Sequence, residues 1–329
     1  MKTGNYTKYI VIALTVIFII AAALLVLEFK WGKGDDFSAP ETSDNSNVTY
    51  NDREYTLKEN IESFLVIGTD RFSDSDTAES HESGVQADFL MLLVFDNESE
   101  KFTALHINRD TMVNVDKLAI GGIKVDTFTK QIALSYNYVA DDNEKVKCGN
   151  AKASVEKLLN GVKIDHYLSL TMDSVAVIND LVGGVEVTVL DDFSSIDSAL
   201  VKGEKIVLSG EQALRYVRAR QSLENNDNIS RMARQRQYID ALYEKAVSCI
   251  GSDEEFSIKL AEAMDEYVVY DSSDQKMQQY AEKLKNYEFV GIKEIEGESK
   301  KGEEFMEFYP DADSVLKNVI DLFYVSKTQ

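Results

Sequence analysis

The stretch ADFLMLLVFDNESEKFTALHINRDT, residues 87–111, carries two apolar runs separated by six polar residues. Phe89–Phe95 and Phe102–Ile107 read as strands, and the polar DNESEK between them makes the pair a hairpin. Upstream, Phe64–Gly68 (FLVIG) is a third short apolar run ending in glycine and reads as a buried strand. Downstream, residues 126–139 and 151–160 have helical spacing, residues 165–170 read as a strand, and 173–181 as a helix. A further strand, 185–190, follows Gly183-Gly184. Ser209 and Gln212 have capping-box spacing and open a helix through Arg218. From Ile229 onward, Met232, Ile239, Leu242, Ala246 and Ile250 recur at helical intervals. Residues 254–329 alternate helices with one strand near 289–295. Mixed strands and helices with no internal repeat predict a single α/β (α+β) domain of about 265 residues, bounded as 61–329.

Ahead of that domain, residues 10–27 (IVIALTVIFIIAAALLVL) carry no charge. With their flanks the span reaches about 20 residues, enough to cross a bilayer. The expectation is an uncleaved single-pass anchor at 9–29, with 1–8 cytoplasmic and the long domain outside the cell. A cleaved signal peptide is the competing reading. Residues 30–60 are rich in Gly, Asp, Ser, Asn, Thr and Glu and read as a polar linker.

The chain has 329 residues and a formal net charge of -22, which argues against general binding of nucleic acid or anionic membrane. Against that background, six of its nine arginines fall within residues 215–237. On a helix starting near 229, Arg231, Arg234 and Gln235 share a face, and Arg218 and Arg220 end the preceding helix. Guanidinium forks are suited to phosphate oxygens, and several converging on one spot suit a pyrophosphate. The alternative is a surface face balanced by nearby acids, which is the preferred reading for Arg215 and Arg236. Arg109 and Asp110 stand at the end of an apolar strand, either as site residues or as an ion pair holding a turn. Asp70 and Asp88 flank apolar strands, and a pair of carboxylates there can hold magnesium. His106 and His166 lie in apolar runs and read as structural. Cys148 and Cys249 form no disulfide framework and are read as thiols or, in an oxidising compartment, as a pair.

These segments together resemble the LytR-CpsA-Psr proteins of bacterial, chiefly Gram-positive, cell envelopes. The resemblance rests on Gly68-Thr-Asp70, Ala87-Asp88, Arg109-Asp110-Thr111, Ile164-Asp-His-Tyr167 and Asp180-Leu-Val-Gly-Gly-Val185. It continues through Leu208–Arg220 and Arg231-Met-Ala-Arg-Gln235. It implies an extracellular domain with a central mixed β-sheet flanked by helices. It also implies transfer of a glycopolymer from an undecaprenyl-pyrophosphate carrier to peptidoglycan, at the 6-hydroxyl of N-acetylmuramic acid, through a phosphodiester. The matching positions assign Arg109, Arg218, Arg220, Arg231, Arg234 and Gln235 to the pyrophosphate, and Asp88 and Asp70 to magnesium. Asp110 is either a base or the residue orienting Arg109. A polyprenyl-phosphate receptor or attenuator and a polyprenyl-pyrophosphate hydrolase are the other classes. Departures are Asn108, where the family usually has proline, Gln86, where arginine is frequent, and Phe89 for threonine or serine. Asp227 lies four residues before Arg231, where the family's aspartate commonly lies three before.

Overall fold

The computed structural model describes residues 47–69, 85–219, 228–253, 255–303 and 305–327. The segment 10–27, Asp70 and Arg220 lie outside these residues, and so do the anchor, one metal ligand and one arginine expected from the sequence. Among the described residues no helix is long and apolar enough to cross a membrane. The chain gathers into two compact units, one from the described parts of Val26–Ser169 and Glu288–Gln329, the other from Leu170–Tyr287. The sequence had suggested a single domain without a second boundary.

In the first unit, strands β1 (Asn47–Tyr50), β2 (Arg53–Leu57), β3 (Ile61–Thr69), β4 (Ala87–Asp96), β5 (Lys101–Ile107), β6 (Met112–Leu118) and β7 (Lys124–Gln131) precede helix α1 (Glu144–Leu158) and strand β8 (His166–Thr171). The expected hairpin is β4–β5, paired antiparallel from Leu90↔Ile107 to Asp96↔Lys101. Asp96 Oδ1 closes its turn by accepting from the backbone N–H groups of Glu98 and Ser99, each at 3.1 Å. From Phe89 to Phe95 every side chain of β4 is buried, so this strand is covered on both faces. That explains a continuous apolar run in place of alternation.

The second unit holds helix α2 (Ser174–Leu181), strands β9 (Val185–Thr188) and β10 (Lys205–Leu208), helices α3 (Gly210–Arg218), α4 (Asn228–Ser252) and α5 (Phe256–Met264), strand β11 (Val268–Tyr270) and helix α6 (Asp274–Asn286). Gly183 and Gly184 sit at φ +78° and +88°, ending α2 in the left-handed region that favours glycine. The expected capping box is present: Ser209 Oγ accepts from Gln212 N, and the Gln212 side chain accepts from Ser209 N. Tyr216, Tyr238, Leu242 and Phe193 form the centre of this unit's core.

The chain then returns to the first unit as β12 (Glu288–Glu294), β13 (Gly297–Lys301), β14 (Met306–Pro310), helix α7 (Ala312–Phe323) and β15 (Tyr324–Ser326). Five strands of the central sheet run in the order β8-β3-β4-β5-β12. β3 and β5 flank β4 antiparallel while β12 runs parallel to β5, so the sheet is mixed, as expected.

Three readings are corrected. Residues 126–139 are not a helix: β7 pairs with β6 from Met112↔Gln131, and a short 3-10 helix, Ile132–Tyr136, follows. Val125, Thr127, Phe128 and Thr129 are β-formers, and the hairpin partner overrode their helical spacing. The polar linker does not extend to 60, because β1 and β2 pair with each other and β15 joins β2. Val48, Tyr50 and Tyr55 pack on the core, and their spacing hides among polar neighbours. Residues 254–329 contain five strands where one was expected, four of them only three to five residues long.

Candidate functional site

In the first unit, β5 delivers Arg109 and Asp110 into a tight turn. Asn108 Oδ1 accepts from Asp110 N at 3.0 Å, and Asn108 O accepts from both Thr111 N (3.0 Å) and Thr111 Oγ1 (2.6 Å). This Asx-type turn does the work expected of the missing proline, fixing the backbone before Arg109. The turn is also held from outside. Arg109 O accepts from Ala133 N, Thr111 O from Ile132 N and Asp110 O from Phe308 N.

Arg109 is 4% exposed, and three groups meet its guanidinium. Nη1 lies 2.7 Å from Asp88 Oδ1, Nη2 donates to Gln86 Oε1, and Nε lies 3.8 Å from Asp110 Oδ1. Asp110, also 4% exposed, accepts from Gln131 Nε2 at 3.1 Å, and the same amide reaches Met306 O at 2.6 Å. Gln86 and Gln131 were not anticipated as partners. Their neutral amides hold an arginine and an aspartate in place without cancelling either charge. His106 is buried against Phe89, with ring centroids 5.0 Å apart, as its apolar setting suggested.

Among the described residues two carboxylates, Asp88 and Asp110, face the Arg109 guanidinium. Magnesium is held through one or two carboxylates, with waters and substrate phosphate completing the shell. Asp88 is a carboxylate of the kind such a site uses, and it is already the ion-pair partner of Arg109. Among the described residues no group of three or more metal-ligating side chains is assembled.

In the second unit, α3 and α4 carry the remaining residues. Arg231, Arg234 and Gln235 share one face, as the spacing predicts, and are 2%, 1% and 3% exposed. Arg234 and Gln235 are turned onto the C-terminal end of α3. Arg234 Nε donates to Tyr216 O at 2.9 Å, Arg234 Nη2 donates to Ala219 O, and Gln235 Nε2 donates to Val217 O at 3.2 Å. Those carbonyls belong to the group that a helix end leaves without intrahelical partners. Arg234 Nη1 is paired with Asp191 Oδ2, and its guanidinium lies over the Phe193 ring at 5.2 Å. Arg218, half-buried, sits between the carbonyls so held. Tyr216 extends the brace: its hydroxyl accepts from Leu190 N and donates to Gln237 Oε1, while Gln237 Nε2 donates to Thr188 O. Burial pushes the Tyr216 phenol up to about 12, so it stays protonated at neutral pH.

Arg215 is 42% exposed and pairs with Glu211 one turn away, a surface position as expected. Cys148 and Cys249 are not joined by a disulfide.

A polyisoprenyl-teichoic acid–peptidoglycan teichoic acid transferase TagU from Enterococcus faecalis is 27% identical over 252 residues, covering 75% of this chain and 74% of that protein. A Bacillus cereus TagU is 30% identical over 204 residues, 62% of this chain and 57% of that protein. The match to the Halalkalibacterium halodurans TagU spans 53% of that protein, so alignments reach from about half to three quarters of these relatives. Crystalline Bacillus subtilis TagT shares the fold with a TM-score of 0.55 at 17% identity, over 80% of this chain and 90% of that one. The LytR_cpsA_psr family model matches residues 33–321, most of the length, and the chain belongs to that family.

Proposed function

We propose that this protein transfers a glycopolymer phosphate from an undecaprenyl-pyrophosphate carrier to peptidoglycan, forming a phosphodiester. Membership of the LytR_cpsA_psr family over residues 33–321 carries the reading. A chain of net charge -22 that buries Arg109 and Arg231 supports it, because burying guanidinium groups is costly without a purpose for the charge. The acceptor hydroxyl of N-acetylmuramic acid attacks the sugar-linked phosphorus. The phosphorus–oxygen bond to the polyprenyl phosphate breaks, the lipid phosphate leaves with the bonding pair, and the hydroxyl's proton ends on that departing phosphate.

Such a transfer needs positioning and charge stabilisation, not a cysteine or histidine nucleophile. Arg109, Arg218, Arg220 and Arg231 bind phosphate oxygens in this reading, with Arg234 and Gln235 behind them on the end of α3. Magnesium on Asp88 and Asp70 would neutralise phosphate charge. Asp110, enclosed, accepting from Gln131 and 3.8 Å from Arg109 Nε, orients Arg109 in this reading, with a base toward the acceptor hydroxyl as its other role. The apolar segment 10–27 anchors the protein in the cell membrane with the folded units outside.

The test is incubation of the full chain with lipid-linked glycopolymer, peptidoglycan and magnesium. A covalent glycopolymer–peptidoglycan product is expected. Lipid phosphate released without transfer would make the protein a hydrolase, and tight binding without turnover a receptor.

A further inference from the structure

We propose that Asp191 and Arg234 are positioning residues: an ion pair, buried on the arginine side and half-buried on the aspartate side, that fixes the C-terminal end of α3 and through it the guanidinium of Arg218. The inference rests on the reading that Arg218 grips the pyrophosphate. It removes Arg234 from direct contact with substrate and gives a role to Asp191, which no motif singled out.

The geometry is specific. Each nitrogen of Arg234 has its own acceptor: Tyr216 O, Ala219 O and the Asp191 carboxylate. The two carbonyls flank Arg218 in sequence, and Gln235 takes Val217 O beside them. With 1% exposure and Phe193 against one face, the Arg234 guanidinium has no side open to a ligand. The planar fork reaches three acceptors from three separate nitrogens, whereas a lysine ammonium offers its N–H bonds from a single point charge on a flexible stem. Positive charge is also favoured at a helix C-terminus, where the carbonyl dipoles point. Asp191 makes that charge tolerable in a buried place. It lies in the loop after β9, which Leu190 N and the Tyr216 hydroxyl tie to α3. The opposite end of α3 is pinned by its capping box and by Gly210 N donating to Asp180 Oδ1 at 2.7 Å. Arg218 therefore projects from a helix fixed at both ends.

The test uses the full chain with undecaprenyl pyrophosphate in detergent micelles as the probe, well below each variant's thermal midpoint. D191N and R234K are each expected to weaken affinity about tenfold, the scale of one misplaced charge-assisted contact. The double variant D191N/R234K should be no weaker than either single, because both break one device. D191N placed in an R218A background should add nothing to the affinity loss, a result that a merely structural role would not produce. D191E, which keeps the charge, should bind more tightly than D191N. Should D191N fail to fold, R234K alone and in the R218A background is read by the same criteria. Wild-type affinity in D191N and R234K with weak binding in R218A overturns the bracket and leaves the arginine clamp standing. A tenfold loss that persists in the R218A background also overturns it. Wild-type affinity in R218A removes the clamp, and the bracket falls with it.

Discussion

Asp88 Oδ1 lies 2.7 Å from Arg109 Nη1, so the carboxylate nominated for metal is also the counter-ion of an arginine nominated for phosphate. The two roles compete for one group. Because Gln86 and Asp110 also meet that guanidinium, Arg109 keeps partners if Asp88 turns toward a cation.

Asp88→Asn separates the roles. The amide still accepts from Arg109 but carries no charge for magnesium. Transfer is expected to need a higher magnesium concentration for half-maximal rate, while the thermal midpoint moves by only a few degrees, about what a loss near 1 kcal/mol produces. A magnesium dependence identical to wild type would assign Asp88 to Arg109 alone.

Gly210→Ala tests whether the packing of α3 matters to the site. A Cβ at Gly210 would stand 2.5 Å from Ala176 O and 2.6 Å from Asp180 Oδ2, and the backbone oxygen cannot swing aside. Overpacking of this kind costs about 1–3 kcal/mol. The variant is expected to melt at lower temperature and to bind lipid pyrophosphate more weakly, since α3 must shift with Arg218 on it. Unchanged melting would show that α2 and α3 slide apart easily.

Stability should also respond to pH through Asp240 on α4. Burial, then repulsion from Glu244, offset in part by Arg236, pushes its carboxyl up from 3.8 to about 7. Its Oδ1 is buried without a hydrogen-bond partner among the described residues. A carboxyl raised in the folded state favours folding while it is protonated. That contribution is complete below about pH 4 and is lost as pH rises to about 7. Asp240→Asn should therefore raise the urea midpoint at pH 8 more than at pH 4. An equal shift at both values would mean that Asp240 titrates normally.

Much of this was legible in the sequence because the signals were local. The β4–β5 hairpin, the capping box at Ser209 and Gln212, and the shared face of Arg231, Arg234 and Gln235 all depend on residues within a few positions of each other. What escaped depends on partners outside the segment being read. β1 and β2 needed β15 to complete their sheet, and β7 needed β6 to overcome helical spacing. Asp191 could not be found from Arg234, 43 residues away, nor Gln131 from Asp110. The sequence showed that the arginines cluster; it could not show which of them turn inward to hold a helix end and which remain for a ligand.

That division yields the last prediction. If Arg218, Arg220 and Arg231 bind pyrophosphate through paired bonds, lysine cannot replace them despite its charge, because a flexible ammonium loses the planar fork. Each Arg→Lys change should weaken undecaprenyl-pyrophosphate binding about tenfold or more, since bonds to charged groups contribute roughly 1.5–3 kcal/mol. The loss is geometric, so lowering the salt should not restore it. Arg215→Lys is the control: that side chain is 42% exposed and paired with Glu211 on the same helix face, an interaction worth a few tenths of a kcal/mol. It should bind as wild type does. Arg234→Lys should resemble the clamp variants in affinity yet differ in cause, its loss vanishing once Arg218 is removed. Lysine tolerated at all three clamp positions would mean that the arginines only offset acidic neighbours, and the pyrophosphate assignment would have to move elsewhere.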